Sequence, residues 1–159
     1  MSLTVRPMRA EEAEAVAGMV RGLAEHIGTD FVPKLTGETL NAAQDLIDVV
    51  VAEEDGRLLG ACLGLMTFST WRGAPGLYVV DLFVLPEARG RNVGLDLLRC
   101  QARRFARRGA QFIKLEVDET NLGAERFYAR LGFTKKTEDR LHILEQDHLK
   151  AFISAGEET

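Results

Sequence analysis

Six consecutive residues, Arg89-Gly90-Arg91-Asn92-Val93-Gly94, lie between an apolar run ending at Val84 and a helical pattern that begins at Val93. Two guanidiniums, two glycines and an asparagine at a strand-to-helix junction suit the capture of an anion. The first turn of a helix offers backbone N–H groups without intrahelical acceptors and the positive end of the helix dipole, a natural seat for phosphate. Gly90 and Gly94 let the backbone approach a ligand, and Asn92 tolerates a left-handed conformation. Arg89 and Arg91 add charge-assisted hydrogen bonds for phosphate oxygens, so a diphosphate is the expected guest. The plainer alternative is a tight turn with solvated arginines.

Two further places carry chemistry. Asp81 alternates with Val79 and Phe83 on an otherwise apolar strand, where a carboxylate is either paired or functional. Asn121, Ala124 and Tyr128 are spaced i, i+3, i+7 and share one helix face, with Gly123 and Ala124 small enough to admit a ligand. Tyr128 as an interfacial aromatic and Asn121 as a helix cap are the structural alternatives.

These residues need elements to position them. Residues 3–7 read as a short strand stopped by Pro7, which has no N–H for a ladder. Val16, Val20, Leu23 and Ile27 give residues 11–27 a helical period, with Gly28 as its cap, and a second helix is expected over 36–46. Asp55-Gly56 joins two strands in the strongest hairpin signal of the chain. Residues 77–84 form the next strand, and from Val93 the residues Leu97, Leu98, Ala102, Phe105 and Ala106 make an apolar helix face ended by Gly109. "QFIKLEV" is a strand at crossover distance, "NLGAERFYARLGF" a short helix closed by Gly132, and residues 140–144 a last strand before a helical tail. The order β-α-α-β-β-β-α-β-α-β describes one α+β (mixed α/β) domain over residues 1–159, with a mostly antiparallel sheet and one parallel β-α-β unit.

The 159 residues are 46% hydrophobic, ordinary for one domain with a real core, and no apolar run reaches the ~20 residues of a membrane helix. A cytoplasmic protein is expected. A net charge of −4 argues against nucleic acid as the main partner. Cys62 and Cys100 lack any metal-ligand spacing, so no metal is expected. The arginines at 99, 103, 104, 107 and 108 read as a solvated helix face.

Among phosphate loops, a Walker motif is excluded because "GRNVGL" lacks the terminal lysine. A dinucleotide turn fits weakly, since four residues separate the strand from the loop and only two glycines are present. Arg89-x-x-Asn92-x-Gly94 instead resembles the Arg/Gln-x-x-Gly-x-Gly/Ala coenzyme A loop of the GNAT N-acetyltransferase superfamily. "NLGAERFYARLGF" is similar to that family's second motif, an asparagine followed seven residues later by a tyrosine and then Gly-Phe. "STWRGAPGLYVVDLFVLPEARGRNVG" further resembles the spermidine/spermine N-acetyltransferase-like branch.

The resemblance implies acetyl-CoA as co-substrate and direct attack by a primary amine of a small molecule in a ternary complex. It implies that Leu82, Phe83 and Val84 hold the pantetheine arm through their backbone. Arg89, Gly90, Arg91, Asn92, Val93 and Gly94 would hold the pyrophosphate, and Asn121 and Ala124 would face the cofactor. Tyr128 is the implied acid for the departing thiolate, and Asp81 the first choice of base, with Glu116 and Asp118 as seconds. His26, Asp30, Phe31, Trp71 and Tyr78 are candidates for the acceptor pocket, and a homodimer is expected. The sequence departs from the pattern at Asn92, where the family has its middle glycine, and at Val80, where the polyamine-acetylating branch has glutamate. The alternative is a non-catalytic acyl-CoA-binding regulatory module of the same fold.

Overall fold

The computed structural model describes residues 2–28 and 30–156, apart from the side chains of His26 and Ile27. Contacts divide the chain into two compact units between Asn121 and Leu122. The first contains a five-stranded sheet in the order β1-β2-β3-β4-β5: β1 (Thr4–Pro7), β2 (Asp48–Glu54), β3 (Arg57–Ser69), β4 (Ala74–Val84) and β5 (Ile113–Leu115). All neighbours are antiparallel except β4 and β5, whose parallel pairing spans only Leu77–Val79 against Ile113–Leu115.

The helices of this unit are α1 (Ala13–Ile27), α2 (Gly37–Ala42) and α3 (Val93–Ala106). α1 ends where Gly28 takes φ 77° and returns its N–H to the Ala24 carbonyl at 3.0 Å. α2 is shorter than the expected 36–46, with Thr36 Oγ1 accepting from the Thr39 N–H as its cap. The β2–β3 hairpin turns on Asp55 (φ 52°) and Gly56 (φ 77°), both left-handed as a two-residue primed turn requires.

Strand β2 is buried on both faces, which explains its unbroken apolar run Val49-Val50-Val51-Ala52. Val49 and Val51 join Val16, Val20, Leu40, Leu63 and Phe83 in the core beneath α1 and α2. Helix α3 packs on β2, β3 and β4, burying Leu97, Leu98 and Phe105. Its one buried polar residue, Gln101, donates from Nε2 to the carbonyls of Asp48 (2.9 Å) and Cys62 (3.3 Å).

The second unit holds α4 (Leu122–Arg130) and α5 (Gln146–Ser154). The strand expected over residues 140–144 is not formed, and every residue of that segment is exposed. A strand is stabilised by its ladder, and the described residues of this unit contain no other strand to pair with. The element order therefore ends in a helix, within the mixed α+β class expected.

Candidate active site

Strand β4 carries an irregularity at the expected site. Leu63 pairs with Asp81 but Gly64 pairs with Val79, so Val80 is an extra residue on β4 with no partner on β3. A bulge of this kind redirects the side chains beyond it. Beyond Val79 the second edge of β4 also loses its strand, because β5 ends at Leu115. Leu82, Phe83 and Val84 thus lie on a stretch of β4 with no strand paired along its far edge among the described residues, as a backbone-bound ligand arm requires. Phe83 itself is a core residue. Gly60 allows β3 to approach, since a Cβ there would stand 2.5 Å from the Phe83 carbonyl oxygen.

Asp81 sits just past the bulge, and burial raises its carboxyl from 3.8 to about 6. The two other candidate bases differ. Asp118 accepts from Thr120 through both N–H (2.8 Å) and Oγ1 (2.5 Å), which holds its carboxyl below the usual range. Glu116 accepts from the Tyr78 hydroxyl at 3.0 Å. Burial and this bond push the Tyr78 phenol up. Cys62 is buried with its thiol raised to about 12, which removes it as a nucleophile.

The 89–94 loop follows β4 after four residues. Leu85 N–H bonds the Leu59 carbonyl at 2.8 Å, and residues Pro86–Ala88 make one 3-10 turn with Ala88 buried. Gly90 has φ 79°, and Asn92 takes the expected left-handed conformation at φ 62°, ψ 18° as the residue before α3. Its side chain makes no cap, so the leading N–H groups of α3 are not satisfied by it. A Cβ on Gly90 would meet nothing within 4 Å, and one on Gly94 only Val84 Cγ2 at 3.5 Å. Neither glycine is demanded by packing inside the protein, which leaves ligand approach as a use for the space. These residues fit a diphosphate.

The two arginines of the loop are oriented differently from a simple phosphate clamp. Arg89 donates from Nε to the Val84 carbonyl at 3.3 Å, tying the loop to the end of β4. Arg91 donates from Nη2 to Glu54 at the β2–β3 hairpin, 2.7 Å away. Arg57, across the turn from Glu54, pairs with Glu87 of the loop. Two ion pairs of opposite polarity therefore join the hairpin to the loop. Sequence reading missed Glu54, Arg57 and Glu87, because only the sheet brings them beside residues 87–91.

Asn121 lies at the end of the first unit, its N–H bonded to the Asp118 carbonyl at 2.9 Å. Ala124 and Tyr128 belong to α4 of the second unit and are half-buried. Gly132 (φ 97°) ends this helix: its N–H reaches the Ala129 carbonyl and the Phe133 N–H reaches the Tyr128 carbonyl, both at 3.1 Å. This is a Schellman closure, which brings the residue after glycine against the helix's last full turn. Phe133 accordingly packs on Tyr128 with ring centroids 5.2 Å apart, and Phe127 meets the same ring edge-on at 5.1 Å. The Gly-Phe pair of the motif thus fixes the tyrosine ring.

Of the acceptor candidates, Trp71 is 98% exposed at the tip of the β3–β4 hairpin, and Asp30 and Phe31 are exposed. Tyr78 is half-buried, and the His26 side chain lies outside the described residues. Among the described residues no group of acidic, histidine or cysteine side chains is placed to hold a metal ion, and no helix is long and apolar enough to cross a membrane.

Known proteins resemble this chain in sequence and fold. The family model for the acetyltransferase (GNAT) family matches residues 25–133. A mouse thialysine N-epsilon-acetyltransferase is 25% identical over 149 residues, covering 86% of this chain and 87% of its own. The pig enzyme of the same name is 29% identical over the same shares. An integron cassette protein from Vibrio cholerae superposes with a TM-score of 0.79 at 21% identity, over 98% of this chain and 99% of its own. Nothing in these comparisons favours a non-catalytic module. The chain belongs to the acetyltransferase (GNAT) family and is an N-acetyltransferase, an enzyme that moves an acetyl group onto an amine.

Proposed function

We propose that the enzyme takes its acetyl group from acetyl-CoA, the co-substrate of its family, and passes it to a primary amine of a small molecule. The observation that carries this reading is the loop after β4: left-handed Asn92, open space at Gly90 and Gly94, and uncapped N–H groups at the start of α3. Gly90, Val93 and Gly94 contact the diphosphate through their backbone, Arg89 and Arg91 supply charge, and the uncovered edge of β4 at Leu82, Phe83 and Val84 binds the pantetheine arm.

In the reaction the amine nitrogen attacks the thioester carbonyl carbon, the C–S bond breaks, and an amide and a thiol are formed. An alkylammonium with pKa ~10.4 loses its proton at a cost of about 4–5 kcal/mol at neutral pH, so a base near the acceptor lowers the demand. Asp81 is that base, directly or through water, because burial raises its carboxyl to about 6, whereas the bonds from Thr120 hold Asp118 low and the Glu116 carboxylate is engaged by the Tyr78 hydroxyl. Tyr128 returns a proton to the thiolate: a phenol near 10 and a thiol near 8.5 are close enough for the transfer to proceed as the bond breaks. Support for Tyr128 is the Asn121-to-Phe133 motif together with the fixed ring. By the family resemblance Asn121 and Ala124 are assigned to cofactor contact, and residues 1–159 to one functional domain.

The acceptor is an alkyl amine on an amino-acid-like molecule. The relatives named for thialysine support that choice, and Val80 in place of a carboxylate counts against polyamines. A homodimer in the cytoplasm completes the proposal. The test is thiol release from acetyl-CoA with thialysine, lysine, spermidine and an aminoglycoside. Turnover with an amino-acid side-chain amine supports the reading, and binding of acetyl-CoA without turnover on any amine overturns it.

A further inference from the structure

We propose that a groove at the opposite edge of the sheet is a second anion site, which takes a triphosphate chain, free or carried by a nucleoside. The groove has a volume of about 440 Å³ and lies between β1 and α3, with Leu3 and Val5 on one side and Arg99, Arg103, Arg104 and Arg107 on the other. None of residues 89–94 lines it, and β1 is the edge strand farthest from β5.

The arginines are not an undifferentiated solvated face. Arg104 is held by Asp48, with Nη2 2.9 and 3.0 Å from the two carboxylate oxygens, and Arg108 reaches the same carboxylate at 3.7 Å. Arg99, Arg103 and Arg107 have no ion pair among the described residues. They are spaced i, i+4, i+8 and so form one stripe about 12 Å long along α3 and onto Arg107, the helical residue that caps it. Like charges at that spacing repel one another and disfavour the helix. A chain with a net charge of −4 has carboxylates enough to separate them, yet only Asp96, at one end, joins the groove. The Nε of Arg104 is buried and has no acceptor among the described residues. Guanidinium forks on one wall of a concavity match successive phosphate groups, each able to accept paired hydrogen bonds.

Cys100 lines the same groove and reports on it, while Cys62 is buried and its raised thiol is inert. The test measures the rate at which N-ethylmaleimide, an uncharged reagent, alkylates Cys100, by peptide mass mapping at constant ionic strength. Tripolyphosphate is expected to slow alkylation at least about tenfold, and Arg99→Ser with Arg103→Ser to abolish that protection. Both side chains are exposed, so the double variant folds, with a melting midpoint no lower than about 2 °C below wild type. Arg107→Ser alone gives a partial loss. ATP protecting equally supports a site that reads the phosphate chain, and ATP protecting better supports one that also reads a nucleoside. The proposal is overturned if tripolyphosphate leaves the rate unchanged, or if protection persists in the double variant. It is overturned too if an oligonucleotide protects at lower phosphate concentration than tripolyphosphate, which assigns the groove to nucleic acid.

Discussion

Arg91 of the 89–94 loop donates to Glu54 of the β2–β3 hairpin at 2.7 Å, so the guanidinium nearest the start of α3 is partly neutralised before any ligand arrives. The contact raises the Arg91 guanidinium and lowers the Glu54 carboxyl, each mainly through the hydrogen bond. Glu54 therefore places negative charge beside the proposed diphosphate seat. Glu54→Gln keeps a hydrogen-bond acceptor and removes the charge. The KM for acetyl-CoA is expected to fall about two- to fivefold in low salt, with the difference fading above ~0.5 M, where the Debye length is a few Å. Steady-state kinetics at two salt concentrations check it, and an unchanged or raised KM places the diphosphate elsewhere.

Asp81 links activity and stability in opposite directions. Its folded pKa of about 6 lies above the ordinary 3.8, so between those values the folded state binds the proton more tightly than the unfolded chain does. Stability then falls as pH rises from about 4 to about 6, and above that range burial of the carboxylate costs on the order of 3 kcal/mol. Asp81→Asn should be more stable than wild type at pH 8 by up to about that amount, and nearly equal to it at pH 4. The same variant should lose the inflection near pH 6 in kcat/KM. Denaturant unfolding at the two pH values and a pH–rate profile read both effects.

Tyr128→Phe retains the ring that Phe127 and Phe133 pack against and removes only the hydroxyl. We expect kcat to fall about 100-fold with the KM for acetyl-CoA within about twofold, the pattern of a lost proton donor. An unchanged kcat would return Tyr128 to a purely packing role.

Two glycines separate fold from site. Gly60→Ala drives a Cβ to 2.5 Å from the Phe83 carbonyl oxygen, and backbone cannot yield as a side-chain tip can. A loss of about 2–4 kcal/mol is expected. Gly94→Ala meets only Val84 Cγ2 at 3.5 Å, so the melting curve should be unaltered while acetyl-CoA binding weakens. Thermal melts and coenzyme A titration of both variants distinguish the two roles.

Much of this was legible in the residues themselves, because local chemistry decided it. Gly28 and Gly132 cap helices, Asp55-Gly56 turns a hairpin, and Asn92 takes the left-handed position before α3, each as its side chain or lack of one predicts. What the chain order hid was set by pairing across distance. The bulge at Val80 depends on the register of β3 against β4, and the Glu54–Arg91 contact spans 37 residues. Residues 140–144 have the composition of a strand, but a strand exists only where a ladder partner does. The arginines of α3 look equivalent in sequence, whereas Asp48 selects Arg104 and Arg108 and leaves a stripe of three.

The claim on which the rest depends is that residues 89–94 and the first turn of α3 hold the coenzyme's diphosphate. Backbone amide chemical shifts during a coenzyme A titration test it most directly. The largest changes are expected at Gly90, Val93, Gly94 and Leu95, with saturation matching the KM for acetyl-CoA. Saturation with those amides unmoved, and changes centred on another element, would contradict it.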